Sequence, residues 1–216
     1  LYCRAHGWNS VEPPDADLCA EMLANYRSHP ELVSFPSSHF YSGRVQPRAR
    51  LANVSSAVKW RALPNPPVPL VFQALEGRNE REGDNPSFFN SMEAMATLDW
   101  IARAMQPHGA GGCGYQEQDI GVISPYFKQV QKIRMLLRQR QLRGIKVGTP
   151  AEFQGNQRRM VVVSCVRTAL NFESYDRAFR LGFTGNIGFM SVALGRATDL
   201  LVVLGDPFVL SRTAHW

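Results

Sequence analysis

The second half of the chain alternates short apolar runs with one long amphipathic stretch, and this alternation is the strongest constraint on its fold. Residues 126–142 place apolar side chains every three or four positions with basic side chains between them, a spacing that predicts a helix. The apolar runs are too short for helices and predict strands at 120–123, 145–148, 160–166 and 200–204. Strands that alternate with helices favour a parallel sheet covered on both faces. The residues alone therefore predict an α/β domain of three layers.

The other segments give less regular patterns. We predict helices starting at 17–24 and at 189–194, a short helix over 31–41 and a strand over 70–75. A longer helix is predicted from about Ser91, with an apolar side formed by Met92, Met95, Ala96, Leu98 and Ile101. Three segments predict loops: a Pro- and Arg-rich one at 44–69, a charged one at 77–86 and a flexible, glycine-rich surface loop at 109–114.

Length and composition place the chain among globular proteins but do not identify an activity. Its 216 residues are 44% hydrophobic, enough for a sizeable core, and a formal charge of +6 modestly favours a polyanionic partner. No apolar run approaches the roughly 20 residues that cross a bilayer. We therefore expect a soluble, cytoplasmic protein with no membrane partner. The first residue is Leu1, which indicates a segment of a longer or processed protein.

The sequence contains neither of two common kinds of ligand site. The cysteines form no Cys-x-x-Cys pair, and Cys3 with His6 has no second half of matching spacing, so no metal site is predicted. No Gly-x-x-x-x-Gly-Lys-Ser/Thr loop occurs, and no Asp-Glu pair follows an apolar strand. The chain therefore has no phosphate loop and no magnesium ligands of its own.

Five short segments resemble, in the same order, the motifs of up-frameshift-like superfamily 1 helicases. They lie at 25–30, 81–90, 119–130, 147–155 and 192–197. The segment 81–90 is most similar to the Armitage-like branch, which includes the Moloney-leukaemia-virus-resistance RNA helicases. The resemblance implies that 1–216 is the second RecA-like domain of such a helicase, a three-layer sandwich with a mostly parallel sheet. Residues 1–17 would be a lead-in from a first RecA-like domain that the chain lacks.

The resemblance implies a role in ATP hydrolysis for several residues. ATP would lie between the two RecA-like domains, with its Mg²⁺ ligands on the first. Tyr26 would stack on adenine, Arg27 and Arg196 would act as catalytic arginine fingers at the γ-phosphate, and Gly155 and Gln157 would complete the nucleotide site. A guanidinium suits this role because it stays charged and its planar fork matches phosphate oxygens. The alternative is a surface ion pair for Arg27 and a helix-end cation for Arg196.

The resemblance also implies a track for single-stranded RNA. The family's strand-contacting positions fall here on Ser124, Pro125, Tyr126, Gln129 and Thr149. A hydroxyl and a helix N-terminus at Ser124 and Pro125 could receive a phosphate, although a plain N-cap followed by proline has the same geometry. The basic face of helix 126–142 favours a solvated surface over a specific RNA patch. RNA-silencing proteins are further partners implied by this branch.

The chain departs from the family pattern at five positions, which leaves its activity open. Gln157 stands where the family has an acidic residue for the ribose hydroxyls, and an amide forms a weaker bond than a carboxylate does. The last motif also departs from the pattern, at Phe189, Ser191, Gly195 and Thr198. Two interpretations follow: half of an ATP-dependent RNA helicase, or a diverged scaffold that binds RNA or protein without turnover.

Overall fold

The computed structural model describes residues 22–83, 87–169, 175–176, 178, 182–212 and 216. The strands are β1 (Ala24–Asn25), β2 (Gln46–Pro47), β3 (Leu70–Ala74), β4 (Glu80–Arg81), β5 (Phe88–Phe89), β6 (Ile120–Ile123), β7 (Lys146–Gly148), β8 (Arg158–Ser164) and β9 (Ala197–Gly205). The helices are α1 (Pro30–Phe40), α2 (Leu51–Val54), α3 (Ser91–Met105), α4 (Phe127–Gln139), α5 (Gly182–Gly185), α6 (Ile187–Leu194) and α7 (Pro207–Ser211). Single turns of 3₁₀ helix lie at His108–Ala110, Glu117–Asp119 and Ala151–Phe153.

Five strands form one central sheet in the order β3-β9-β8-β6-β7, and every neighbouring pair in it is parallel. Alternate residues of a strand point to opposite faces, so each inner strand contributes to two cores. On β8, Met160 and Val162 join the apolar cluster under α3 and α4, while Val161 and Val163 join the cluster under α1 and α6. The predicted α/β class with a mostly parallel, two-sided sheet is confirmed.

Because the strands are parallel, the sheet has one edge where the strands begin and an opposite edge where they end, and the two edges carry different residues. Arg196 directly precedes β9, and its carbonyl accepts a hydrogen bond from the backbone N–H of Arg158 at the start of β8 (3.1 Å). Ser124 and Thr149 directly follow β6 and β7, beyond the pairs Ile123–Val163 and Ile123–Gly148. That end of the sheet is level with Leu204, eight positions after Arg196. At ~3.3 Å per residue, the two edges are therefore about 25 Å apart along the strands.

Two of the helix predictions need correction. The predicted helix at 17–24 lies largely outside the described residues, and its last part is not helical: residues 22–23 are irregular and Ala24 is in β1. Helix α3 begins at Ser91 as predicted, but Met92 and Met95 are 53% and 45% exposed. Its buried side instead includes Glu93 and Thr97. Leu98 and Ile101 are buried as predicted, so the prediction was wrong for the two methionines, and Glu93 and Thr97 are buried because they have hydrogen-bond partners.

The two segments predicted as loops around Trp60 and Cys113 are more ordered than their composition indicated. Residues 44–69 contain β2 and α2, and Trp60 is buried with its ring 5.5 Å from that of Trp100. The glycine-rich segment 109–114, a surface loop by its composition, contains the buried Cys113. Two hydrogen bonds attach the segment: the Trp60 indole N–H donates to the Gly111 carbonyl (2.6 Å), and the Cys113 N–H donates to the Ala104 carbonyl (3.1 Å). Buried Asp199 near the start of β9 accepts hydrogen bonds from Ser56 and from Tyr115 (2.9 Å).

Two kinds of feature are absent from the described part of the chain. None of its helices is both long and apolar enough to pass through a bilayer. Within the same residues, no group of three or more His, Cys, Asp or Glu side chains could hold a metal ion. Cys3 and His6 lie outside the described residues.

Candidate functional site

A cleft of about 380 Å³ lies at the edge of the sheet where β9 begins, and it brings together residues that are far apart in the sequence. Its walls come from the loop after β1, from α1 and from the end of α6. The polar groups on these walls belong to Asn25, Tyr26, Arg27, Ser28, Ser37, Tyr41, Ser191 and Arg196. No Asp or Glu is among the described residues that line it. The cleft is therefore cationic and suited to an anion.

Hydrogen bonds to the backbone fix the position of the loop at residues 25–30. The Asn25 Oδ1 accepts from the N–H groups of Arg27 (2.9 Å) and Ser28 (3.0 Å), a turn that Asn favours. The Ser28 Oγ donates to the Ala197 carbonyl (2.9 Å), and the His29 N–H donates to the Thr198 carbonyl (2.9 Å). The loop is thereby attached to the first residues of β9, next to Arg196.

Arg27 and Arg196 are both half-buried in this cleft. The Arg27 Nη2 donates to the Gly195 carbonyl (2.5 Å), and the Arg196 Nε donates to the Val192 carbonyl (3.1 Å). Burial lowers the pKa of each guanidinium; the charge of Arg196 lowers the pKa of Arg27 further, and Tyr41 partly opposes both effects. An anion bound between the two arginines would relieve this repulsion. It would not have to displace a carboxylate, since none is among the described residues that line the cleft.

The nucleotide residues suggested by the sequence are only partly brought together. Tyr26 lines the same cleft and is 75% exposed, so its ring is free for stacking. Gly155 and Gln157 are exposed in the turn before β8 and are not among the residues that line the cleft. A backbone connection to the cleft runs through Arg158, whose N–H donates to the Arg196 carbonyl. Gly155 has φ +74 with open space around it, a turn conformation that suits glycine.

The five positions suggested for RNA meet at the opposite edge of the sheet, but most of their side chains are inside the protein. Ser124, Pro125, Tyr126 and Gln129 are buried, and Thr149 is half-exposed. The Ser124 N–H donates to the Gly148 carbonyl (3.1 Å), which joins the ends of β6 and β7. The Tyr126 hydroxyl donates to Asp176 (2.8 Å). In this conformation Thr149 is the side chain of this set that solvent reaches.

Comparison with known proteins gives the family. Residues 15–207 match the model of a family described as an AAA domain. The chain is 37% identical to MOV-10 of Gallus gallus over 96% of its length, and 40% identical to the RNA helicase Mov10l1 of Homo sapiens over 90%. It is 26% identical to the armi protein of Drosophila melanogaster over 91% of its length. The chain belongs to the MOV10-type superfamily 1 helicases.

The similarity to these MOV10-type relatives covers only part of the length of each relative. The chain spans 22% of the Gallus gallus protein, 16% of the human one and 17% of the Drosophila one. The similarity therefore identifies the chain as a helicase-family segment of such proteins. What a complete MOV10-type protein does is therefore a matter of proposal for this chain.

Sequence reasoning missed one polar cluster near the RNA edge, the edge of the sheet where β6 and β7 end beside the positions suggested for RNA. The buried Gln129 side chain accepts from the Asn90 N–H (2.9 Å) and donates to the Ser164 Oγ (2.9 Å), and Ser164 donates to the carboxylate of Glu93 (2.6 Å). Both Glu93 oxygens also accept from the Val166 N–H (2.9 Å each). Asn90 caps α3 at the Glu93 N–H, and an Asn three residues before a Glu is the one sequence signal that could have indicated it.

This buried cluster, Asn90, Glu93, Gln129 and Ser164, holds a strained backbone position. Val166 has φ +72, a left-handed conformation that is rare for a β-branched residue and costs about 1–3 kcal/mol. Burial raises the pKa of the Glu93 carboxyl to about 7, although the hydrogen bonds from Ser164, Val166 and Cys165 oppose the rise. The cluster therefore fixes the segment after β8 beside the proposed RNA positions.

Proposed function

We propose that the chain is the second RecA-like domain of an ATP-dependent RNA helicase and that it donates Arg27 and Arg196 to ATP held on a first RecA-like domain. The observation that carries the proposal is the cleft itself. Two guanidinium groups from distant segments share it, Tyr26 lines the same cleft with its ring largely exposed, and none of the lining residues described is acidic. An unbalanced pair of arginines beside an exposed aromatic ring suits a nucleoside triphosphate.

The residues of the cleft fit one part of the ATP and Mg²⁺ chemistry and leave the rest to the first domain. Arg27 and Arg196 would bind phosphate oxygens, and Tyr26 would stack on the base. No carboxylate is among the described residues that line the cleft, so the Mg²⁺ ligands would come from the first domain. Bound Mg²⁺ would neutralise phosphate charge. This chain's contribution is to place two fixed cations where charge grows on the transferred phosphoryl group.

Single-stranded RNA would run along the opposite edge of the sheet, past Thr149. The N–H of Thr149 donates to Glu152 (2.7 Å), which fixes this residue at the end of β7. We also propose, on family membership alone, a cytoplasmic location and RNA-silencing proteins as partners. The positions Ser124, Pro125, Tyr126 and Gln129 would shape the track from beneath, because their side chains are buried.

The purified 216-residue chain should show no ATP hydrolysis above background. It has no phosphate loop, so nothing in it would hold the triphosphate in line for attack. Phosphate release measured with and without single-stranded RNA checks this expectation. Turnover that RNA stimulates and that Arg196→Ala abolishes in this chain alone would overturn the assignment as a second domain.

Gln157→Glu should strengthen nucleotide binding about fivefold in a longer chain that also carries a phosphate-binding domain. An ionised acceptor bonds ribose hydroxyls more strongly than an amide, by ~1 kcal/mol. Gln154→Glu is the matched control, because it makes the same charge change in the same exposed turn. Equal effects of the two substitutions in a fluorescent-nucleotide titration would show a general charge effect and remove Gln157 from the nucleotide site.

The scaffold interpretation keeps one specific observation in its favour. The Arg27 Nη2 is already bonded to the Gly195 carbonyl, so this guanidinium has a structural partner without any nucleotide. A scaffold would keep the fold and bind RNA or protein, but substitution of the cleft arginines would change no rate. The arginine experiment described in the Discussion separates the two interpretations.

A further inference from the structure

A second groove, of about 440 Å³, lies on the outer side of β7 and is separate from the arginine cleft. Its floor is apolar and is formed by Leu137, Leu142, Ile145 and Val147. Four basic residues line the groove around this floor: Arg134, Arg138, Arg143 and Lys146. They come from α4, from the turn that follows it and from β7, so the fold gathers on one surface charges that the sequence spreads over thirteen positions (134 to 146).

The groove has a surplus of positive charge. Glu152 also lines it, but this carboxylate is paired with Arg134 (3.2 Å) and accepts from the Thr149 N–H. Nearby Glu117 accepts from the Gly144 N–H (2.5 Å). Within the described ranges, no carboxylate lies in ion-pair distance of Arg138, Arg143 or Lys146. The Lys146 Nζ lies 5.1 Å from the centre of the Phe153 ring, so of these three residues Arg138 and Arg143 remain available to an anionic ligand.

The edge strand under the groove does not suit an added β-strand. β7 is the last strand of the sheet and only three residues long. The Arg134 side chain donates twice to the Val147 carbonyl, from Nε (3.1 Å) and from Nη2 (2.6 Å). This covers a backbone acceptor that a pairing strand would need, and a basic side chain on an edge strand opposes strand addition. A polyanion is the partner that the groove fits.

We propose that this basic groove of Arg134, Arg138, Arg143 and Lys146 binds the phosphate backbone of RNA and extends the RNA track from Thr149 down the outer side of β7. Thr149 and Arg134 share the carboxylate of Glu152, which makes the groove continuous with the end of the proposed track. The apolar floor gives sugars and bases a surface while the cations meet phosphates, a combination typical of sequence-independent binding to single strands. The inference rests on the proposed function, because the groove extends an RNA track that the proposed function already places at Thr149.

The test is RNA binding by the 216-residue chain with Arg138→Glu and Arg143→Glu combined. Both side chains are exposed, so the fold should be unaffected. Affinity for a long unstructured RNA should fall at least tenfold at low salt. The slope of log affinity against log salt should become less steep by about 1.4, since each phosphate contact on a single strand contributes about 0.7. Fluorescence anisotropy at several salt concentrations measures both quantities.

Two further variants make the result specific. The combination Lys59→Glu and Arg61→Glu makes the same charge change on the exposed loop that carries Trp60, and it should weaken binding less than threefold. Thr149→Val tests the track independently. If the groove variant matches the loop control while Thr149→Val weakens binding, the groove proposal fails and the proposed track stands. If the groove variant weakens binding and Thr149→Val does not, the track past Thr149 fails instead. A competition experiment compares poly-glutamate with unlabelled RNA at equal concentrations of carboxylate and phosphate. If poly-glutamate competes as effectively as RNA, the groove belongs to an acidic protein segment and its assignment to RNA is overturned.

Discussion

Arg196→Ala should reduce the kcat for RNA-stimulated ATP hydrolysis at least tenfold in a longer chain that also carries the phosphate-binding domain. Arginine fingers contribute ~10³–10⁵ to such rates, and the expected loss is set lower because Arg27 shares the cleft. The loss should fall on kcat, since the guanidinium acts on charge that develops in the transition state. RNA affinity without nucleotide should change less than twofold, because the RNA edge is about 25 Å away.

Two comparisons make this result interpretable. Arg48→Ala removes an exposed arginine that follows β2 and does not line the cleft, and it should leave kcat unchanged. Arg27→Ala should lower kcat as Arg196→Ala does and should also weaken nucleotide binding, because it disturbs the neighbouring Tyr26. The catalytic proposal makes one firm demand, that the Arg196 variant stays folded and loses turnover. A folded variant with near-normal kcat would leave Arg196 as a helix-end cation and the chain as a scaffold.

Ionisation of Glu93 should lower the stability of the protein as the pH rises from about 4.5 to about 7, and Glu93→Gln should remove this contribution. Burial raises the pKa of Glu93 to about 7 in the folded chain, from an ordinary value of 4.5, and nearby Asp206 adds to the rise. Between these two values the folded state binds more protons than the unfolded state, so the free energy of unfolding decreases with pH. The rise in pKa converts to roughly 3 kcal/mol.

Urea unfolding at a series of pH values checks this expectation. Glutamine keeps the shape and an acceptor for the Val166 N–H, so the variant should fold, with a cost of about 1 kcal/mol at low pH from rearranged hydrogen bonds. Its deficit relative to wild type should shrink and then reverse as the pH rises. Glu76→Gln, at an exposed position, is the control and should follow the wild-type curve. Parallel curves for wild type and Glu93→Gln would show that Glu93 stays ionised throughout.

Periodicity predicted the sheet well because the strands that form it are apolar on both faces. β6, β8, β9 and α4 occur where short apolar runs and the three-to-four spacing placed them. The same rule was right at α3 for Leu98 and Ile101, which are buried, but wrong for Met92 and Met95, which are exposed while Glu93 is buried. Hydrophobicity cannot anticipate a buried carboxylate, because its burial depends on partners such as Ser164 and Val166, more than seventy positions away.

The sequence predicted site residues only where the order of the family motifs indicated them. The resemblance placed Arg27 and Arg196 in one site, and the structure puts them in one cleft, although they are 169 positions apart. It could not indicate which way a side chain points at the end of a strand, so the burial of Tyr126 and Gln129 came only from the structure. The basic groove beside β7 was equally out of reach, because its members belong to different elements.

Four of the bonds that build the arginine cleft end on backbone carbonyls. Arg27 donates to Gly195, Ser28 to Ala197, His29 to Thr198 and Arg196 to Val192. A peptide carbonyl is the same whichever side chain its residue carries, so mutation at an accepting position leaves the acceptor in place. The last motif can therefore drift in sequence, as it has at Gly195 and Thr198, while selection holds only the donors and the arginines in place. Substitutions tolerated over evolution should concentrate among the acceptors, and Asn25, Ser28 and the two arginines should tolerate few.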